Sequence, residues 1–117
     1  MGDFRELRAW QEAKQLIQLS RSAILKLPDH ERYAIANQWR RAAYSVALNI
    51  AEGASRRGAR EFRRYLDIAR ASLHELEAIF EIVLVMEYLS AEDLHPIMKS
   101  RDDCAKMVYG LLRSMGG

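Results

Sequence analysis

The sequence predicts an all-α protein, an up-and-down bundle of four helices forming one domain. Three observations lead there. Apolar residues recur at three- and four-residue spacing along four long stretches, the pattern of helices with one buried face. The breaks between these stretches are short and are marked by Pro28, by Gly53 and Gly58, and by Ser90. No strand pattern interrupts them. With 117 residues, 50% of them hydrophobic and 29% charged, residues 1–117 suit a single domain that builds its own core.

The first helix is expected from Asp3 to Lys26, with Trp10, Ala13, Ile17 and Ile24 on its inner face and Leu16, Ala23 and Leu27 widening it. Pro28 ends it, because the residue before a proline is driven out of helical conformation. Asp29 then stands where it could cap the second helix. Arg32 occupies the place at which Glu or Gln would complete a capping box, so the cap is partial. The second helix stops near Gly53, and Ala54–Gly58 form the turn. The third runs from Ala59 to Tyr88, about 45 Å at 1.5 Å per residue. Phe62, Tyr65, Leu66, Ala69, Leu73, Leu76, Phe80, Val83 and Leu84 make its stripe. Ser90 caps the fourth, with Glu92 and Asp93 in the first turn, where the helix dipole favours acids. Pro96 is expected to bend the start of that helix and Gly116-Gly117 to fray. Leu94, Ile97, Met98, Cys104, Val108, Leu111 and Leu112 face inward, and Arg101 among them needs a neighbouring acid or a route to water.

The second helix is the most informative. Ile35, Trp39, Ala42, Ala43, Val46 and Ile50 share its core face. Gln38, Arg41, Ser45, Asn49 and Glu52 line up on another side. A catalytic reading would make Ser45 the nucleophile and Glu52 the base, but no histidine in the stretch could activate the serine. The stripe therefore reads as a hydrogen-bonded polar seam, inside the bundle or between subunits, that sets helix register, with Arg41 and Glu52 as a pair. Tyr44, Leu48 and Ala51 lie roughly opposite the core face. In the last third of the third helix Ile79, Ile82, Val85 and Met86 add apolar residues on the remaining sides. A helix apolar all round must be buried all round, so Tyr44, Leu48, Ile79, Ile82, Val85 and Met86 are expected at an interface between subunits.

Charge is balanced overall, at +2, but not along the chain. Between Arg32 and Arg70 nine arginines stand against Glu52, Glu61 and Asp67, a local charge of +6. From Ala71 to His95 there is no Lys or Arg, and Glu75, Glu77, Glu81, Glu87, Glu92 and Asp93 make the segment acidic. Arg56, Arg57, Arg60, Arg63, Arg64 and Arg70 form the candidate nucleic-acid-binding cluster, since guanidinium forks suit phosphate oxygens. The competing reading is a solvated face of ion pairs with Glu52, Glu61 and Asp67. No aromatic residue interleaves the arginines in the expected helix, so stacking of single-stranded bases is not expected.

Other chemistries are excluded more directly. Cys104 is the one cysteine, which leaves no intramolecular disulfide or cysteine cluster, and its place on an apolar stripe reads as a buried, inert thiol. Glu92 and His95 have the Glu-x-x-His spacing of di-iron bundles, but the second such pair and the glutamates of the other two helices are missing. No metal and no cofactor are expected, and no enzymatic activity. The charged N-terminal residues do not form a signal peptide. The longest apolar run, Ala78–Met86, is interrupted by Glu81 and is too short for a bilayer. A cytoplasmic protein with no membrane partner is expected.

Two blocks carry a family resemblance. Arg41-Ala-Ala-Tyr-Ser45-Val-Ala-Leu-Asn49-Ile-Ala-Glu52-Gly53, followed by Arg56, resembles the RAA-x-S-[IV]-x-x-NIAEG-x-x-R signature of four-helix-bundle proteins encoded in intervening sequences of bacterial 23S rRNA genes. Phe62–Glu77 resembles the second block of that family, and Leu7–Gln11 and Leu27–Tyr33 resemble its helix 1 and inter-helix segments. The resemblance implies a bundle assembled as a ring-shaped homopentamer. A related branch, the accessory variability determinants of diversity-generating retroelements, uses such a barrel to bind nucleic acid and a reverse transcriptase. The function expected on this basis is a non-enzymatic accessory factor that binds RNA or DNA through the arginine cluster. The alternative is a protein–protein interaction scaffold recruiting its partner through the ring face or the acidic region.

Overall fold

Residues 3–115 are described by the structure, a computed structural model, so the expectation for Gly116-Gly117 lies outside the described residues. Four helices follow in order: α1 (Arg8–Ile24), α2 (Ile35–Ala54), α3 (Gly58–Val85) and α4 (Ala91–Ser114). Three-residue 3-10 turns occupy Phe4–Glu6 and Asp29–Glu31, and the described residues include no strand. α1 packs on α2 and α4, and α3 packs on the same two helices, so sequence neighbours are spatial neighbours around one core. α3 has 28 residues, about 42 Å of helix, and so spans the full 43 Å length of the molecule.

The apolar stripes meet where the sequence places them. Trp39, Phe62 and Phe80 are the largest fully buried side chains, with Leu16, Ile50, Leu66, Leu73, Leu76 and Leu94 around them. Trp39 meets Phe80 edge-on at 5.2 Å between ring centroids. Its indole Nε1 donates to the buried Ser20 hydroxyl at 2.9 Å, so the one polar atom of the ring is satisfied and α1 is tied to α2. Arg101 is resolved by its neighbours. Its guanidinium donates to the Leu73 carbonyl at 3.0 Å and to Asp102 at 2.7 Å, and lies 3.5 Å from Glu77. Along the α1–α4 seam the Ser100 hydroxyl donates to Glu12 at 2.7 Å, and the Cys104 thiol lies 3.7 Å from the Ala9 carbonyl.

Helix ends differ from the sequence expectation in three places. The first helix does not begin at Asp3. That carboxylate accepts from the Arg5 amide at 2.9 Å and closes a 3-10 turn; Leu7 is extended, and Phe4 lies edge-on to Trp10 at 4.7 Å. A local Asp cap and an aromatic pair thus outweigh one more turn of helix. Asp29 does not cap α2. It opens the second 3-10 turn after Pro28, and α2 begins at Ile35 with no side-chain cap from Ala34. With arginine at position 32 the reciprocal half of the capping box is missing. By contrast, Ser90 accepts from the Asp93 amide at 3.0 Å, and α4 runs through Pro96 as one helix.

The third difference is the end of α3, at Val85 rather than Tyr88. The Tyr88 amide donates to Val83 O at 3.1 Å and the Glu87 amide to Leu84 O at 3.0 Å, the paired bonds of a Schellman motif. Its left-handed position is filled by Glu87, at φ 60°. A side chain there is strained by about 1–2 kcal/mol. Glu87→Gly is therefore expected to stabilise the fold by about 0.5–1 kcal/mol, after the extra freedom glycine gives the unfolded chain. Urea unfolding reads this as a raised midpoint with an unchanged slope; a lowered midpoint would contradict it.

Burial pushes the Cys104 thiol up to about 12, with Glu12 adding to the effect and Arg101 opposing it. The unfolded thiol loses its proton near 9.0 while the folded one keeps it. Between those values the folded state binds more protons, so this thiol makes stability fall as pH rises from 9.0 toward 12. At pH 8 a disulfide exchange reagent is expected to leave Cys104 unmodified until denaturant is added. Prompt stoichiometric labelling of the native protein would contradict this.

Candidate nucleic-acid interface

The candidate interface starts from one glycine. Gly53, in the last turn of α2, is buried, and a Cβ on it would stand 2.8 Å from Phe62 Cδ1 and 2.8 Å from Tyr65 Cβ. Only glycine lets α2 and α3 come this close as they enter and leave the turn. The chain then reverses through Ser55–Arg57, where the Ser55 hydroxyl donates to Glu52 O at 2.7 Å, and re-enters helix at Gly58 with φ 81°. The tight reversal brings Arg56 and Arg57 alongside the first turns of α3.

On α3 the arginines keep to one side. At 100° per residue, Arg60, Arg63, Arg64, Asp67 and Arg70 fall within an arc of about 120°, away from the Phe62–Leu66–Ala69–Leu73 stripe. Arg56, Arg57, Arg60, Arg64 and Arg70 are exposed, and Arg63 is half-buried. Two of these cations are neutralised within the chain: Arg56 pairs with Glu52 at 2.7 Å and Arg64 with Glu61 at 3.6 Å. Among the described residues Arg57, Arg60, Arg63 and Arg70 have no ion-pair partner, and Asp67 pairs with none of them. The solvated ion-pair reading thus accounts for two of the six arginines.

Tyr65 corrects the expectation that no aromatic residue lies among these arginines. It is half-buried, and the guanidinium carbons of Arg64 and Arg56 lie 4.7 Å and 5.2 Å from its ring centroid. Its place at the edge of the apolar stripe hid this, because the sequence assigned the ring to the core. Arg56 arrives from the far side of the turn, nine residues away in sequence. The two contacts hold a pair of flexible cations in a defined plane.

The polar stripe of α2 is divided. Ser45 and Asn49 form a bonded seam with α3: Ser72 Oγ donates to Ser45 Oγ at 2.8 Å, and Asn49 Nδ2 donates to Ser45 O at 2.8 Å and to Ser45 Oγ at 3.1 Å. Gln38 and Arg41 are exposed and take no side-chain hydrogen bond among the described residues. The expected Arg41–Glu52 pair does not form within the chain. Eleven residues separate the two, about 16 Å along the helix, and Glu52 turns to Arg56 one turn away.

The apolar surface is also narrower than expected. Ile79 is 3% exposed and belongs to the core of the single chain; at 100° per residue it shares a side of α3 with Ser72, which bonds to Ser45 of α2. Tyr44, Leu48, Ile82, Val85 and Met86 remain open to solvent, with Val85 80% exposed. Among the described residues no three of His, Cys, Asp and Glu gather closely enough to hold a metal ion. No described helix is long and apolar enough to cross a membrane. One polar cluster escapes a sequence reading. The Tyr88 hydroxyl donates to Glu31 at 2.6 Å and lies 3.2 Å from His30 Nε2, which pins the 3-10 turn before α2 to the end of α3. Fifty-seven residues separate Tyr88 from Glu31, and no local signal announces the contact.

Comparison with known proteins adds a family and a fold. The family model described as 23S rRNA-intervening sequence protein matches residues 5–110. A crystal structure of a protein with unknown function from the S23 ribosomal protein family of Bacteroides thetaiotaomicron VPI-5482 superposes with a TM-score of 0.82. The match covers 89% of this chain and 97% of that one at 18% identity, so it speaks for the fold alone. No curated protein matches the chain.

Proposed function

Since the chain belongs to the 23S rRNA-intervening sequence protein family, we propose that it is a non-enzymatic, oligomeric bundle that binds RNA or DNA as a cytoplasmic accessory factor. The observation that carries this reading is the unpaired state of Arg57, Arg60, Arg63 and Arg70 on one exposed arc, beside a Tyr65 ring that organises Arg56 and Arg64. Cations without internal partners meet phosphates with little to give up, and the forks of arginine suit phosphate oxygens. The contact is electrostatic and reads little sequence, since phosphate contacts position a protein without specifying bases. Assembly into a ring, pentameric by family resemblance, is supported by the solvent-open Tyr44, Leu48, Ile82, Val85 and Met86. It would repeat the arginine arc around an axis and raise its effective field.

Fluorescence anisotropy with labelled RNA and DNA fragments at low salt tests this. Wild type is expected to bind both, and Arg60→Ala/Arg63→Ala/Arg64→Ala to lose that binding with an unchanged helical spectrum. Wild-type protein that binds neither fragment at low salt would end the proposal. A second reading, a scaffold for a protein partner, is favoured by Ile82, Val85 and Met86 standing open beside Glu81 and Glu87. It predicts a co-purifying protein that survives nuclease treatment.

A further inference from the structure

Two surfaces of the chain complement each other, and they lie on different sides of the bundle. The first is a groove between α1 and α2 of about 470 Å³, lined by Ile17, Ile24, Leu25 and Tyr44, with Arg21 and Arg40 in its walls and no acid among its lining residues. Leu25 is 77% exposed and Tyr44 47% exposed, so the apolar lining is open to an incoming side chain. Past Leu25 and Arg40 the groove continues into a second hollow that adds Arg32, where Asp29 is the one acid. Among the described residues Arg21, Arg32 and Arg40 have no ion-pair partner.

The second surface is the outward end of α3. Ile82, Val85 and Met86 follow at three- and four-residue spacing and stand exposed as a ridge. Glu81 and Glu87 flank it, exposed and with no ion-pair partner among the described residues. No Lys or Arg occurs from Ala71 to His95 to neutralise them. The ridge is thus apolar with an acidic border, and the groove is apolar with a basic border. The groove belongs to α1 and α2 and the ridge to α3, which makes no packing contact with α1, so they are separate patches.

We infer that the α3 ridge of one copy docks in the α1–α2 groove of the next, with Glu81 and Glu87 meeting Arg21 and Arg40. The inference deepens the assembly part of the proposed function and rests on it. Such a contact is heterologous: each copy offers a groove to one neighbour and a ridge to another, which generates a ring when the rotation closes. It uses Tyr44 and the Ile82–Val85–Met86 group as opposite halves of one interface. It leaves the arginine arc of α3 outside the contact, because the ridge lies at the other end of that helix.

Light scattering after size-exclusion chromatography, on the full chain with nuclease treatment, tests the pairing. Wild type is expected as a multiple of the 13.5 kDa chain. Arg21→Glu/Arg40→Glu and Glu81→Arg/Glu87→Arg are each expected to elute as folded monomers, with circular dichroism unchanged because Arg21, Glu81 and Glu87 are exposed and the half-buried Arg40 lines an open groove. Mixing the two variants restores each contact made between unlike variants, in one charge sense or the other. It is expected to yield species larger than the monomer, although a ring of five cannot alternate them throughout. One chain carrying all four reversals restores every contact and is expected to recover the wild-type mass. Monomeric wild type would overturn the assembly reading and the pairing together. An oligomeric wild type whose mass survives both reversals would overturn the pairing alone. So would monomeric variants that mixing and the fourfold reversal fail to rescue. An oligomer that forms only with a different protein bound at Ile82–Met86 would overturn it in favour of a foreign partner.

Discussion

Alanine at position 53 is expected to lower the unfolding free energy by about 1–3 kcal/mol, although alanine is the better helix former by about 1 kcal/mol. Packing decides the sign. The added methyl would sit 2.8 Å from the ring of Phe62 and from Tyr65 Cβ, and Phe62 is fully buried with nowhere to retreat. α2 and α3 must therefore part at the turn, loosening the contact that sets Tyr65 and, through it, Arg56 and Arg64. Gly110 supplies the control. It lies in α4 with nothing within 4 Å of the position a Cβ would take, so Gly110→Ala is expected to stabilise by about 0.5–1 kcal/mol through helix propensity alone. Urea midpoints moving in opposite directions for the two variants would confirm the account. Gly53→Ala stabilised like Gly110→Ala would show that the turn has room.

The largest effect on binding is expected from Arg60→Ala/Arg63→Ala/Arg64→Ala. Each phosphate contact contributes about 0.9 to the slope of log affinity against log salt, so losing the unpaired Arg60 and Arg63 removes about 1.8 from it, with a smaller share from Arg64, which is paired with Glu61. Near 0.1 M salt that corresponds to a loss on the order of 10²-fold in affinity. The loss should be similar for fragments of different sequence, because contacts to phosphates carry no sequence information. Arg56→Ala is expected to cost less than Arg60→Ala, since Arg56 already gives its guanidinium to Glu52 at 2.7 Å. A triple variant that binds as wild type does, with the same salt slope, would move the interface away from α3.

What could be read from the residues alone divides along a physical line. Periodicity reports which side of a helix faces inward, so the core placement of Trp39, Phe62, Leu66 and Leu94 was legible. So was the Ser90 cap, which needs only a hydroxyl before an amide three residues on. Contacts between elements carry no such local signal. The closeness of Gly53 to Phe62 is a distance between two helices. Tyr65 looked like core because its spacing fits the stripe, and only the path of the turn brings Arg56 to its ring. Ile79 looked like interface because it stands outside the core stripe, yet it is buried within the single chain. The polar seam was half legible for the same reason: Ser45 and Asn49 bond where Ser72 of α3 meets them, while Gln38 and Arg41 meet solvent.

The central claim is that the unpaired arginines of α3 hold nucleic-acid phosphates. The most direct test is the affinity of the wild-type protein for one RNA and one DNA fragment, followed from about 0.05 M to 0.2 M salt. The account predicts a straight line of log affinity against log salt with a steep negative slope, made shallower by replacing Arg60, Arg63 and Arg64. Affinity that is absent at the lowest salt, or that does not change across the series, would contradict it.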